Sequence, residues 1–298
     1  MVMDQADRAP LPPQGSSAGR HGPAGTRDGR ARPSRAAPAT HVGGLASRWQ
    51  DRRQIGGVPF VVSSPRRAAR DLAEAARESD RGEHVHLLNA YSIALADRQP
   101  DLAAEAFVGD GWNLPDGRPV SWVSRIRGDR PALRQIRGPQ FMLDVCEQGV
   151  AVGVRHYLLG ATPSVLEALR RSLEQRYPGI EIVGVDSPPF RTPSDAELVE
   201  RDARISASGA DIVWVGLGTP KQDREVARLA ASLPVTAVAV GAAFDYAAGT
   251  LKEAPVWMSK VGLEWAFRFA VEPRRLWRRY VFGNARFLRA AVQHWSAA

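Results

Sequence analysis

Asp116 stands within Pro115-Asp116-Gly117, a strong turn signal that puts a carboxylate on a loop, where it can act as a base. Asn89 ends an apolar run. Gln222 follows Gly216-Leu217-Gly218-Thr219-Pro220-Lys221, a turn whose glycines let the backbone come close to a ligand and whose free N–H groups lie at a positive helix end beside a lysine. Arginines crowd the last twenty-five or so residues, among them Arg275, Arg278, Arg279, Arg286 and Arg289. Such a set can hold a nucleotide diphosphate without a metal. Asp116 would deprotonate an acceptor hydroxyl, and arginine would neutralise the leaving diphosphate. Each group also has an ordinary structural reading: Asp116 as a turn former, Asn89 as a strand-end cap, Gln222 as a helix surface residue, the arginines as a solvated face.

The elements that must carry these groups alternate strand and helix. Strands are expected at 58–62, 85–89, 155–159, 180–185, 212–215 and 236–240, and helices at 64–78, near Ala94 and Leu95, at 164–177, 193–208, and after Pro220. Residues 110–120 read as loop. Near-continuous apolar strands separated by helices imply an α/β, Rossmann-like, mostly parallel sheet covered on both faces, with ligands at the carboxyl ends of the strands. Asn89, Gly160, Gly218 and Gly241 fall at such ends.

Residues 1–45 are rich in Pro, Gly, Ala, Ser and Arg, and are expected to be a disordered tail. Residues 46–250 form the α/β core and 251–298 a helical, basic appendage. The appendage is expected as one helix over 255–270, a break at Pro273 and a second over 274–293, with Leu276, Trp277, Tyr280, Val281, Phe287 and Leu288 along one stripe. Aromatics beside arginines suit a membrane surface, and a terminal helix docked on the core suits the pattern equally.

A chain of 298 residues with a formal charge of +8 points to anionic partners. The single Cys146 excludes an intramolecular disulfide and a cysteine zinc site, and fits a reducing compartment. No apolar run reaches 18 residues and the N-terminus has no apolar signal region, so membrane association is expected to be peripheral. Asp-x-Asp, the Walker loop, Gly-x-Gly-x-x-Gly and Gly-x-Ser-x-Gly are all absent, and the histidines lack ligand spacing. Two other readings stay open on these residues: a nucleotide-cofactor oxidoreductase on a similar sheet, and a basic membrane- or nucleic-acid-binding module without catalysis.

Five motifs occur in order: Pro115-Asp116-Gly117; Gly216-Leu217-Gly218-x-Pro220-Lys221-Gln222; Gly241-x-x-Phe244-Asp245-x-x-x-Gly249; Ala254-Pro255; and Leu263-Glu264-Trp265-x-x-Arg268 with Glu272-Pro273-x-Arg275-x-x-Arg278-x-Tyr280. Over roughly residues 55–290 the chain thereby resembles the WecG/TagA/CpsF glycosyltransferases (glycosyltransferase family 26). The resemblance implies inverting, metal-independent transfer of a sugar from a UDP-sugar to a polyprenyl-diphosphate-linked glycan, with no cofactor. The sugar would be of the N-acetylmannosamine, N-acetylmannosaminuronic acid or glucuronic acid type. It implies work at the cytoplasmic membrane face on teichoic acid, exopolysaccharide or capsule, contact with an anionic membrane surface, association into a homo-oligomer and no nucleic-acid partner.

Carried over by motif, Asp116 matches the proposed general base, with Asn89 lining the active site and Gln222 near the transferred sugar. Gly160, Gly216, Gly218, Lys221, Gly241 and Asp245 fall on the UDP-sugar pocket. Arg268, Arg275 and Arg278 match arginines that close over the diphosphate and seat the enzyme on lipid. The chain departs from the pattern at Leu87 (usually threonine), Gln140 (usually aspartate), Asp223 (usually glutamate) and Glu253 (usually arginine). These changes bear on donor and acceptor contacts.

Overall fold

The computed structural model describes residues 44–295 other than 253, 256, 257, 259–263 and 272, and for 264, 265, 268, 275, 276 and 278–282 it describes the backbone alone. Glu253 therefore lies outside the described residues, as does the expected tail up to residue 43.

Among the described residues, eight strands form a two-stranded hairpin and a six-stranded sheet whose faces are covered by helices. A short helix α1 (Leu45–Arg48) buries Leu45 and leads to a hairpin, β1 (Arg52–Ile55) and β2 (Val58–Val61), turned at Gly56 and Gly57. There follow α2 (Pro65–Glu78), β3 (Glu83–Leu88), α3 (Ala90–Arg98), α4 (Pro100–Leu102) and a π-helical turn (Ala103–Val108). Next come β4 (Trp112–Pro115), α5 (Arg118–Ile126), α6 (Gly138–Val152), β5 (Arg155–Gly160), α7 (Pro163–Arg176) and β6 (Glu181–Asp186). The core closes with α8 (Asp195–Ser208), β7 (Ile212–Gly216), α9 (Lys221–Ser232), β8 (Thr236–Ala239) and α10 (Ala243–Ala247). Two further helices, α11 (Glu264–Val271) and α12 (Pro273–Gln293), complete the described chain.

The main sheet is six-stranded in the order β4-β3-β8-β7-β5-β6, and every pairing in it is parallel. Alternate strand residues go to opposite faces. Val85, Leu87, Leu158, Trp214 and Val238 pack under α2, α6 and α10, whereas Tyr157, Leu159, Val213, Val215 and Ala237 pack under α8 and α9. A third cluster joins the hairpin, α3 and the π-helical turn to Phe287 and Ala290 of α12.

Two expectations change. Residues 110–120 are not all loop: Trp112–Pro115 is the edge strand β4, in register with Val85–Leu88, and all four of its residues are buried. Pro115 masks that strand in the sequence, yet a proline without an N–H is tolerated at an edge. The apolar stripe of α12 also divides. Phe287, Ala290 and Ala291 face the core, while Trp277 and Leu288 are exposed, because Phe287 and Leu288 lie about 100° apart on the helix. Leu276, Tyr280 and Val281 have side chains outside the described residues. Of the expected helix over 255–270, the described part runs from Glu264 to Val271.

Candidate active site

The strand connections fix where a ligand can enter. From β5 the chain passes through α7 outward to β6, and from β7 it passes through α9 in the opposite direction to β8. Neighbouring strands whose connections diverge leave a crevice between their carboxyl ends. Gly160 and Gly216 are paired in register at that point. Gly160 has φ +131°, and a Cβ on it would lie 2.6 Å from the Gly216 carbonyl oxygen. A Cβ on Gly216 would lie 2.8 Å from the Phe244 ring. The crevice floor is thus closed by backbone against backbone, and only glycine fits there.

Above this floor lies a cavity of about 910 Å³. Gly216, Leu217, Gly218 and Lys221 line it from the β7–α9 turn, Ala161 and Thr162 from the β5–α7 turn, and Gly241 and Asp245 from the segment after β8. Asn89 and Asp116 line it from the ends of β3 and β4. Gly218 has φ +77° and nothing within 4 Å of a built Cβ, as befits a turn facing open space. Helix α9 begins at Lys221, directly after the cis Thr219–Pro220 peptide, and Lys221 lines the cavity at this positive helix end.

Asn89 and Asp116 are neighbours by register, each one residue beyond the pair Leu88 and Pro115. The Asp116 amide donates to the Leu88 carbonyl at 2.8 Å, and Gly117, at φ +92°, turns the chain beside Asn89 into α5. Asn89 caps α3, its Oδ1 accepting from the amides of Tyr91 at 3.0 Å and Ser92 at 3.4 Å. The capping and the cavity-lining roles therefore coexist: Oδ1 serves the helix, and the Nδ2 donors are the part left to a ligand.

Gln222 takes a different place. It is 5 % exposed and lies beneath the turn, outside the cavity lining, with Oε1 accepting from the Gly218 amide at 3.0 Å. A Cβ on Gly241 would sit 3.3 Å from the same Oε1, so Gln222 wedges the two ligand-side turns against each other. Next to it, buried Asp223 faces His86 of β3, with Oδ1 3.1 Å from Nδ1, and His86 Nε2 lies 2.9 Å from His84 Nδ1. A carboxylate accepting from His86 Nδ1–H leaves Nε2 to accept from His84 Nδ1–H, so the chain of three ties α9 to β3. Burial, reinforced by His86, pushes His84 down to about 3.

Several lining groups carry no motif signal. Arg118 and Trp122 come from α5, Phe190 from the β6–α8 loop, Arg201 from α8, and Asn284 from α12. Arg201 is buried and paired with Glu225, which Arg228 also holds at 2.8 Å. Arg118 directly follows Asp116-Gly117, which is the one cue by which it could have been picked out. Asn284 brings the C-terminal helix to the cavity wall. The side chains of Arg268, Arg275 and Arg278 lie outside the described residues; their backbones belong to α11 and α12.

Two relatives are each named N-acetylglucosaminyldiphosphoundecaprenol N-acetyl-beta-D-mannosaminyltransferase. The one from Bacillus spizizenii is 29% identical over 182 residues, covering 61% of this chain and 68% of its own length. The one from Bacillus subtilis is 30% identical over 167 residues, covering 56% of this chain and 62% of its own length. The profile of the Glycosyl transferase WecG/TagA/CpsF family matches residues 53–298, which takes in every strand of the main sheet and both C-terminal helices. The chain is a glycosyltransferase and belongs to the WecG/TagA/CpsF family.

Proposed function

We propose that the enzyme transfers N-acetylmannosamine from its UDP donor to a polyprenyl-diphosphate-linked N-acetylglucosamine, with inversion and without a metal ion. The observation that carries this reading is the meeting, in one cavity, of a carboxylate on a strand-end turn (Asp116) with a glycine-floored helix start and Lys221. The donor diphosphate lies against the first amides of α9 and Lys221. Asp245 accepts from hydroxyls of the nucleoside, and Gln222 acts as a positioning residue that keeps the Gly218 turn open toward the ligand. Of the sugars the resemblance allows, the names of the two Bacillus relatives favour N-acetylmannosamine.

In the reaction Asp116 takes the proton of the acceptor hydroxyl as its oxygen forms a bond to the anomeric carbon. The bond from that carbon to the UDP oxygen breaks on the opposite side, which inverts the configuration. Asn89 Nδ2 orients the sugar or the attacking hydroxyl. Charge growing on UDP is met by Lys221, by the helix amides and by Arg268, Arg275 and Arg278, which replace the electrostatic role of a metal. The product is an intermediate of cell-surface polysaccharide made at the inner face of the membrane, where the enzyme sits peripherally and as a homo-oligomer.

The test is turnover of UDP-N-acetylmannosamine with a synthetic polyprenyl-diphosphoryl N-acetylglucosamine in EDTA, the product identified by mass spectrometry. A disaccharide of inverted linkage is expected. Turnover that requires Mg²⁺ removes the electrostatic scheme, and turnover of a UDP-uronic acid instead replaces the donor.

A further inference from the structure

Arginine is distributed unevenly around the catalytic loop. Between Gly117 and Gln140 the chain carries six arginines, at 118, 125, 127, 130, 134 and 137, against a single acidic residue, Asp129. That acid does not face outward. Its carboxylate accepts from Ser124 Oγ at 2.7 Å and from Arg127 Nε at 3.0 Å, and the side chains of Arg127 and Asp129 are 6% and 7% exposed. Arg127 Nη1 also donates to the Gln54 carbonyl, and Ser124 Oγ accepts from the Leu133 amide at 2.9 Å. This inner network fixes the loop after α5, so the charges left on its outer side, Arg125, Arg130 and Arg134, are all positive and exposed.

Two large apolar side chains stand among them. Trp122 is 44% exposed and Ile126 75%, four residues apart and therefore on one side of α5. Trp122 also lines the cavity, so the apolar ridge begins at the cavity wall and runs outward from it.

We infer that the outer face of α5 and the loop behind it is a membrane-docking surface, in which Trp122 and Ile126 enter the headgroup–acyl boundary while Arg125, Arg130 and Arg134 meet anionic headgroups. An exposed tryptophan and isoleucine inside an arginine cluster is the composition of an interfacial contact, and a nucleic-acid groove gives no use for Ile126. This surface is carried by α5 and the loop after it, an element other than the C-terminal helices, and it follows the Asp116 turn directly in the chain. It rests on the proposed function in one respect: a polyprenyl chain attached to an acceptor in the cavity would leave along Trp122 into the bilayer.

The full-length protein, Ile126→Glu and the double variant Arg125→Glu/Arg130→Glu are compared for co-sedimentation with vesicles of 30% phosphatidylglycerol in phosphatidylcholine, at about 0.15 M salt. None of these three positions lines the cavity. Each variant is expected to lower the vesicle partition coefficient at least ~10-fold. Turnover of a water-soluble, short-chain acceptor stays within about twofold of wild type, which also shows the variants to be folded. Wild-type partitioning by both variants overturns the inference, as does wild-type protein that binds a DNA duplex and no vesicles. Failure of the wild type to use the short-chain acceptor counts against the proposed function alone, because the partition measurement is read without turnover.

Discussion

Gln222 Oε1 accepts from the Gly218 amide at 3.0 Å, while the Gln222 amide donates to the Gly218 carbonyl at 3.0 Å. The side chain and backbone of one residue thus hold both the N–H and the C=O of Gly218, fixing the peptide groups on either side of its Cα. Replacing Gln222 with leucine keeps the volume but leaves the Gly218 N–H without its acceptor. One such bond is worth about 1 kcal/mol net, and an orphaned buried donor costs more. UDP affinity measured by calorimetry should fall about tenfold, and the urea midpoint should fall by the equivalent of about 1–2 kcal/mol. Unchanged affinity would mean that the turn holds its shape without the clamp.

Gly160 is a stricter position. Alanine there would place Cβ 2.6–3.0 Å from three backbone atoms of Gly216, at a φ of +131° that L-residues avoid. Neither strand end can yield without parting β5 from β7. Gly160→Ala should lose about 2 kcal/mol or more in urea unfolding and abolish UDP binding. Gly218→Ala is the instructive partner. It meets no atom within 4 Å and carries only the cost of φ +77°, so it should lose less stability while its methyl group still intrudes on the ligand.

These contrasts show what the sequence could reveal. Gly216, Gly218, Gly241 and Asp116 were legible because turn chemistry and ligand approach restrict residue type locally. The parallel sheet was legible because apolar runs such as 212–215 are buried on both faces. Strand β4 was hidden by Pro115, whose edge position depends on the strand order. The place of Gln222 was hidden because a glutamine in a first helical turn can face solvent or core, and the choice is made by Gly241 from a strand away. The α5 surface has no local sequence signature, since its arginines are spread over twenty residues and its one acid is neutralised by a fold-dependent pair.

Stability should depend on pH through two buried histidines. Burial holds His84 at about 3 and His156 at about 4, against an ordinary value of 6.5. Trp214 Nε1 donates to His156 Nδ1 at 3.1 Å, a bond that the protonated ring cannot accept. Both groups are depressed in the folded state, so the unfolded chain binds more protons below 6.5. Stability is then complete above about pH 6.5 and falls as the pH drops toward 4, by up to about 1.4 kcal/mol per pH unit for each histidine. Glu83, raised by burial, favours the folded state as the pH falls and partly offsets the loss. Urea unfolding at pH 7, 6 and 5 should give a declining midpoint, and His156→Phe a shallower decline. A midpoint flat from pH 7 to 5 would show that these rings are not buried neutral.

Asp116 and Asn89 can be separated by which kinetic quantity each one moves. Asp116→Asn preserves shape and removes the base, so it should lower kcat by about 10²- to 10⁴-fold while UDP affinity stays near wild type. The loss should be the same with EDTA or Mg²⁺ present. Asn89→Asp keeps the oxygen that caps α3 through Tyr91 and Ser92 and replaces the Nδ2 donors with a second carboxylate oxygen. That charge would lie one residue pair beyond Leu88 and Pro115, beside Asp116, where like charges raise the proton affinity of the base. The acid limb of the kcat profile in Asn89→Asp should therefore move to higher pH relative to wild type, with α3 and the thermal midpoint intact. An unmoved acid limb together with full kcat in Asp116→Asn would assign proton removal to some other group in the cavity.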